Sequence, residues 1–153
     1  MLLRADALIE RHAGRRVYFD TNIFIYVLGA SQRYAALCLE LLQACARQRI
    51  LGCTGDVTLA ELLVKPLQAN DAQAVAAVRE LLVEDGSIAL HSHSRKAFER
   101  AAALRARHGL KMVHALQLAT ALEAGATCLV SNDRQFPSLA DIECLSLETQ
   151  AGP

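Results

Sequence analysis

Arg16-Val17-Tyr18-Phe19-Asp20-Thr21-Asn22-Ile23-Phe24-Ile25-Tyr26 is the stretch from which the rest of the chain is read. A short apolar run ends in a carboxylate, a hydroxyl and an amide, and a second apolar run follows at once. Residues 16–19 have the length of a short buried strand, and 21–28 the length and apolar content of a helix stopped by Gly29. Asp20 then stands where strand hands over to helix. In open parallel α/β sheets, ligands gather beyond the carboxyl ends of the strands. A carboxylate there can cap the following helix by accepting backbone N–H bonds, or it can hold a metal ion. The segment alone leaves both open.

Outward from it, apolar runs of strand length alternate with stretches of helical period. Strands are expected over 16–19, 49–53, 87–91, 127–130 and 143–147, and helices over 2–12, 21–28, 32–48, 57–65, 70–84, 94–108 and 113–124. Asp56 reads as the N-cap of the 57–65 helix and Pro66 as its stop. Asn70 or Asp71 caps the next, and Gly109 and Gly125 end the last two. Strands separated by one or two helices imply right-handed crossovers and a parallel sheet. The expected fold is an α/β three-layer sandwich: a central parallel sheet of about five short strands with helices on both faces. No repeat or linker interrupts the pattern, so residues 1–153 read as a single domain, with 149–153 a loose tail.

The chain has 153 residues, 53% of them apolar and 21% charged, which suits a domain with a real core and excludes a disordered chain. No apolar run is long enough for a membrane span. Arg4 and Asp6 fall where a signal peptide would carry its apolar core, so the expectation is a soluble, cytoplasmic protein with no membrane partner. Sixteen basic and sixteen acidic residues give zero formal net charge, which excludes nucleic-acid binding driven by overall charge but leaves room for local patches. Arg15-Arg16, Arg95-Lys96 and the Arg100, Arg105, Arg107, Lys111 series are candidate patches, or simply solvated helix faces. Five cysteines without a C-x-x-C read as small buried hydrophobes in a reducing compartment rather than as zinc ligands.

Three carboxylates lie just past expected strand ends: Asp20; Glu61, alone in an apolar helical run; and Asp133, in an Asn-Asp pair after the 127–130 strand. Each has an ordinary alternative: a cap, an exposed helix glutamate, a plain turn. In a parallel sheet, however, Asp20 and Asp133 would share one edge, and Glu61, on the first turns of the helix after the second strand, can point the same way. Carboxylates gathered in one cleft repel one another and need a cation to stay ionised. Mg²⁺ or Mn²⁺, which take oxygen ligands, would serve. His91-Ser92-His93 could place two imidazoles on one side of a strand, but no acid accompanies them, and a solvated strand end is the expected reading.

Four motifs then carry a family resemblance: Tyr18-Phe19-Asp20-Thr21-Asn22; Thr58-Leu59-Ala60-Glu61-Leu62-Leu63; Leu110-Lys111-Met112-Val113-His114-Ala115-Leu116-Gln117; and Val130-Ser131-Asn132-Asp133-Arg134-Gln135-Phe136. In that order and spacing they resemble the PIN-domain ribonucleases, most of all the VapC-like toxins of bacterial toxin–antitoxin pairs, over about residues 16–147. The resemblance implies a metal-dependent endoribonuclease that leaves 5′-phosphate and 3′-hydroxyl ends. It places catalytic roles on Asp20, Glu61, His114 and Asp133, with Asp20, Glu61 and Asp133 as ligands of Mg²⁺ or Mn²⁺. Thr21, Asn22, Ser131 and Asn132 match the supporting polar residues, and Arg134 and Lys111 are placed to meet RNA phosphates. The implied partners are RNA, a cognate antitoxin protein and a second copy in a homodimer.

The chain departs from the family at position 114, where Lys-x-x-Asp-Ala-Leu becomes Lys111-Met112-Val113-His114-Ala115-Leu116. One negative charge is lost. A neutral imidazole can still ligate, with a preference for Mn²⁺. It can instead carry a proton near the leaving oxygen, or the site can be disabled, leaving a degenerate module that binds RNA or protein. A helix-start histidine with no role is also open. A phospho-acceptor role for Asp20 in a phosphatase-like domain is disfavoured, because Asn22 stands where a second aspartate is needed.

Overall fold

The computed structural model describes residues 1–149. In chain order the elements are α1 (Ala5–Arg11), β1 (Arg16–Phe19), α2 (Thr21–Leu28), α3 (Ala35–Ala46), β2 (Leu51–Gly55), α4 (Asp56–Gln68), α5 (Ala72–Arg79), a π-helical turn (Glu80–Glu84), β3 (Ile88–His91), α6 (Arg95–His108), α7 (Met112–Glu123), β4 (Cys128–Ser131) and β5 (Glu143–Ser146). The five strands form one sheet in the order β3-β2-β1-β4-β5, and every neighbouring pair is parallel. Val17 pairs with both Gly52 and Cys128, so β1 is the central strand. The expected three-layer α/β architecture is the one found.

Alternation along the strands sorts the two cores. Val17, Phe19, Cys128 and Val130 face a cluster with Leu8, Ile23, Phe24, Leu41 and Leu82. Tyr18, Cys53 and Leu129 face the other way, onto Ala101, Leu104, Ala115, Leu118 and Phe136 of α6, α7 and the loop after β4. β1 is buried on both faces, as a central parallel strand must be. The cysteine thiols are free, and burial pushes those of Cys38, Cys45 and Cys53 up to about 12, so they behave as apolar side chains.

Several boundaries move. β2 begins two residues later than expected. Gln48 takes φ +56° and Arg49 N–H donates to the Ala44 carbonyl, so the chain is still turning where the apolar Ile50 suggested a strand. The later start carries Thr54 and Gly55 into the strand's C-terminal edge. Asp56 is the first helical residue rather than the cap, and Gly55 holds the cap position without a side-chain acceptor. Pro66 does not stop α4, which runs on to Gln68. A proline near a helix end removes a single donor, and the turn closes at Asn70, whose φ is +51°. Asp71 does cap α5, accepting from Ala74 N–H at 3.0 Å. Of the tail, Thr149 is tied to the Met1 carbonyl through its N–H at 2.8 Å, and residues 150–153 lie outside the described residues. Among the described residues no helix is long and apolar enough to cross a membrane.

Candidate active site

β1 and β4 are adjacent, so the residues just past their ends are neighbours. Asp20 follows Phe19, and its own N–H donates to the Val130 carbonyl at 3.0 Å, which extends the ladder to the sheet edge. Asp20 is only 3% exposed. Oδ1 accepts the Thr21 N–H at 2.8 Å, so Asp20 does cap α2. Oδ2 accepts the Ser131 hydroxyl at 2.7 Å. The same Ser131 Oγ accepts the Asp133 N–H at 2.9 Å and an Asn22 Nδ2–H at 3.1 Å. One serine thus ties the two aspartates' segments together. It is the last residue of β4, not of the loop. Asn22 Oδ1 accepts the Asn132 N–H at 3.2 Å, and Asn132 Nδ2 donates to Tyr26 at 2.9 Å. The four supporting residues read from sequence are therefore all engaged around Asp20.

Glu61 joins from α4. Its Oε1 accepts the Thr21 hydroxyl at 2.7 Å, one residue along from Asp20. His114, in the first turn of α7, places Nδ1 3.3 Å from Asp133 Oδ2, within ion-pair reach but not aligned as a hydrogen bond. Its ring leans on Phe136 at 5.1 Å between centroids. The His114 and Asp133 side chains are 20% and 25% exposed, at the mouth of the site. Hydrogen bonds through Thr21 and Ser131 thus link Asp20, Glu61 and Asp133, and His114 stands beside Asp133 within ion-pair reach.

Burial raises the Asp20 pKa above the ordinary aspartate value. The bonds from Ser131 and Thr21 pull against this, as does His114, while the charge of Asp133 adds to the rise. A buried carboxyl next to a second carboxylate, both edged by hydroxyls and amides, is a set of hard oxygen donors. Among the described residues, no three His, Cys, Asp or Glu side chains are grouped closely enough to clasp one ion as they stand. Mg²⁺ does not require that, because it is commonly held by one or two carboxylates, with water and substrate phosphate completing the shell. In donor chemistry, Asp20 and Asp133 fit such an ion. Glu61, whose Oε1 accepts from Thr21, is not grouped with them as it stands.

Gln117 is the residue that the sequence reading missed. It is 0% exposed and sits under the site as a hub. Tyr18 OH donates to its Oε1, and its Nε2 donates to Thr58 Oγ1 at 3.0 Å and Thr21 Oγ1 at 3.2 Å. Thr58 in turn donates to Thr54 Oγ1 at 2.8 Å, because the Thr54 hydroxyl gives its own proton to the Phe19 carbonyl, also at 2.8 Å. This network locks α4 and α7 to the end of β1. A signal was present: Gln117 stands three residues after His114 on α7, on the same face, with apolar neighbours on both sides.

The sequence-predicted phosphate contacts are less committed. Lys111 is exposed at the start of α7, and Arg134 is exposed beside a small cavity of about 180 Å³ lined by Asp133, Phe136 and Glu148. Two other patch arginines act on backbone instead. Arg16 Nη1 donates to the Ala124 carbonyl at 2.5 Å, and Arg105 Nη1 to the Leu110 carbonyl at 2.9 Å. His93 is not a solvated strand end either. Its ring bonds to α4 and α7, with Nε2 accepting the Val57 N–H at 3.1 Å and Nδ1 2.7 Å from Thr120 Oγ1.

Comparison with known proteins agrees with this fold. The PIN domain model matches residues 17–142. Ribonuclease VapC7 of Mycobacterium tuberculosis is 28% identical over 127 residues, covering 82% of this chain and 88% of that protein. Among solved structures, VapBC2 of Rickettsia felis bound to a promoter DNA fragment superposes with a TM-score of 0.66 at 17% identity, covering 87% of this chain and 99% of that one. The M. tuberculosis toxin VapC20, described as cleaving the sarcin-ricin loop, gives 0.60 at 14% identity, covering 74% and 86%. At those identities the two structures speak for the fold.

Proposed function

Because this chain belongs to the PIN-domain family, we propose that it is a divalent-metal-dependent endoribonuclease of a toxin–antitoxin pair. The observation that carries the reading is the buried Asp20, its pKa raised by burial, joined through Ser131 to Asp133, with Glu61 one hydrogen bond away on Thr21. The likeness to a curated ribonuclease supports it.

Asp20 and Asp133 would hold the ion, Mg²⁺ or Mn²⁺, with Glu61 as the third carboxylate. When bound, such an ion polarises a phosphate oxygen and lowers the pKa of a water. The chain's own residues prepare the rest. Ser131 and Thr21 fix the Asp20 oxygens, so little reorganisation is left for the reaction. His114, at the mouth beside Asp133, can hold or pass a proton at Nδ1. Arg134 and Lys111 offer cations to the RNA backbone, where the zero net charge requires the attraction to be local.

Protein partners have surface to occupy. Ile25 and Leu28 of α2 and Val64 and Leu67 of α4 are large, apolar and between 39% and 59% exposed, on two helices that touch. Apolar residues so placed support an antitoxin or a second copy of this chain as partner. The test of function is direct. Purified protein, incubated with a generic RNA and Mn²⁺ or Mg²⁺, yields fragments with 5′-phosphate and 3′-hydroxyl ends, and EDTA abolishes them. Intact RNA under all metal conditions, together with retained RNA binding, would favour the non-cutting module instead.

A further inference from the structure

We propose that His93 is a positioning residue that pins the first turn of α4 and so fixes where Glu61 stands; the inference rests on the nuclease reading above. α4 begins without a side-chain cap, because Gly55 occupies that position. The first turn of a helix leaves several N–H groups without partners. One of them, Val57 N–H, is taken by His93 Nε2 at 3.1 Å, from a residue 36 positions away. Accepting there means that Nε2 carries no proton. The neutral ring must then carry it on Nδ1 and donate it to Thr120 Oγ1 at 2.7 Å. One imidazole therefore bridges α4 to α7.

Space has been cleared for this ring. A Cβ on Gly55 would collide with the His93 ring and with the Tyr18 hydroxyl. Gly55 has φ −102°, which any residue adopts, so glycine is required by room and not by backbone conformation. Phe98 of α6 closes the other side, edge-on at 6.3 Å. The second bridge between the same helices lies one residue along: Thr58 bonds to Gln117, next to Val57 and one turn before Thr120. Glu61 is one helical turn beyond Val57. Two adjacent ties thus define the start of the helix that delivers Glu61 to Thr21 and Asp20.

The bridge works only while the ring is neutral. A protonated Nε2 would point a hydrogen at the Val57 N–H. Burial lowers the His93 pKa, and Asp56 of α4 pulls it back up. Charged or titratable groups on the surrounding elements include Tyr18 of β1, Cys53 of β2, Glu61 and Lys65 of α4, His91 of β3, Arg95, Lys96, Glu99 and Arg100 of α6, and His114 and Glu123 of α7, the last held by Ser94. The neutral form is therefore the resting one at pH 7, and kcat falls on its acid side.

The experiment compares wild type, His93→Ala and His93→Gln. RNA cleavage is followed against pH, and hydrogen exchange is measured at the Val57 amide. A glutamine can accept from Val57 and donate to Thr120 at any pH. Misplacing a group by about 1 Å can cost on the order of a hundredfold, so His93→Ala should lower kcat by roughly ten- to a hundredfold with KM little changed. Its Val57 amide should exchange faster while the β1 amides stay protected. His93→Gln should recover most of kcat, restore protection at Val57, and hold its activity further into acid than wild type. Should His93→Ala fail to fold, His93→Gln and Thr120→Val carry the same comparison. Wild-type kcat in His93→Ala, unchanged Val57 exchange, or an unshifted acid limb in His93→Gln would overturn the proposal. If wild type cleaves nothing, the nuclease reading falls, and the Val57 exchange still decides whether His93 holds α4.

Discussion

Asp20→Asn should yield a folded protein that has lost RNA cleavage. The asparagine oxygen can still accept the Thr21 N–H that caps α2, while its amide nitrogen takes the place of the oxygen that accepts from Ser131. What disappears is the one carboxylate buried at the junction of β1 and β4. Removing a group that merely supports a metal ligand typically costs 10- to 100-fold, so losing a ligand should cost more than about a hundredfold in kcat/KM. Stability should move the other way. Burial raises the native pKa of Asp20 above its unfolded value of about 3.9. The native state then binds more protons than the unfolded one between those two pKa values, and stability falls as pH rises through that window. In EDTA at neutral pH, Asp20→Asn should therefore unfold at higher urea than wild type. The advantage should shrink on acidification, as wild-type Asp20 takes up its proton. A variant that keeps a tenth of wild-type cleavage, or that is less stable at neutral pH, contradicts this account of Asp20.

His114→Asp should raise cleavage in Mg²⁺ and lower the Mg²⁺ needed for half-maximal rate by about tenfold, the lower end of what a metal site gains from one supporting group. The geometry gives the reason. His114 stands 3.3 Å from Asp133, so a carboxylate at 114 restores negative charge at the mouth of the site. Without metal, that charge faces Asp133 and costs stability; with metal, it offers another oxygen donor. The Mn²⁺ curve should move less, because imidazole already suits Mn²⁺ better than Mg²⁺. Superimposable metal curves for the two proteins would remove position 114 from the site.

The sheet and the Asp20 junction were legible because both are local. A short apolar run ending in Asp-Thr-Asn states where a strand stops, and it does so whatever packs around it. Ser131, Asn132 and Asp133 are legible for the same reason. The missed features need two distant segments at once. His93 is a strand-end histidine in sequence, and its role exists only because Val57 and Thr120 arrive beside it. Gly55 looks like turn punctuation until the ring that fills its missing side chain is seen. Ile50 drew β2 two residues too early, since a buried turn residue and a strand residue are equally apolar. Gln117 could have been found: a lone amide among apolar residues, one turn from His114, has to be satisfied by something.

The most direct measurement is the anomalous scattering of a crystal soaked in Mn²⁺. A manganese peak within coordination distance of Asp20 and Asp133 carboxylate oxygens, with the Glu61 carboxylate turned from Thr21 toward it, is the predicted result. A map with no peak near Asp20, or with manganese elsewhere on the surface, would contradict the claim that these carboxylates form a metal-holding nuclease site.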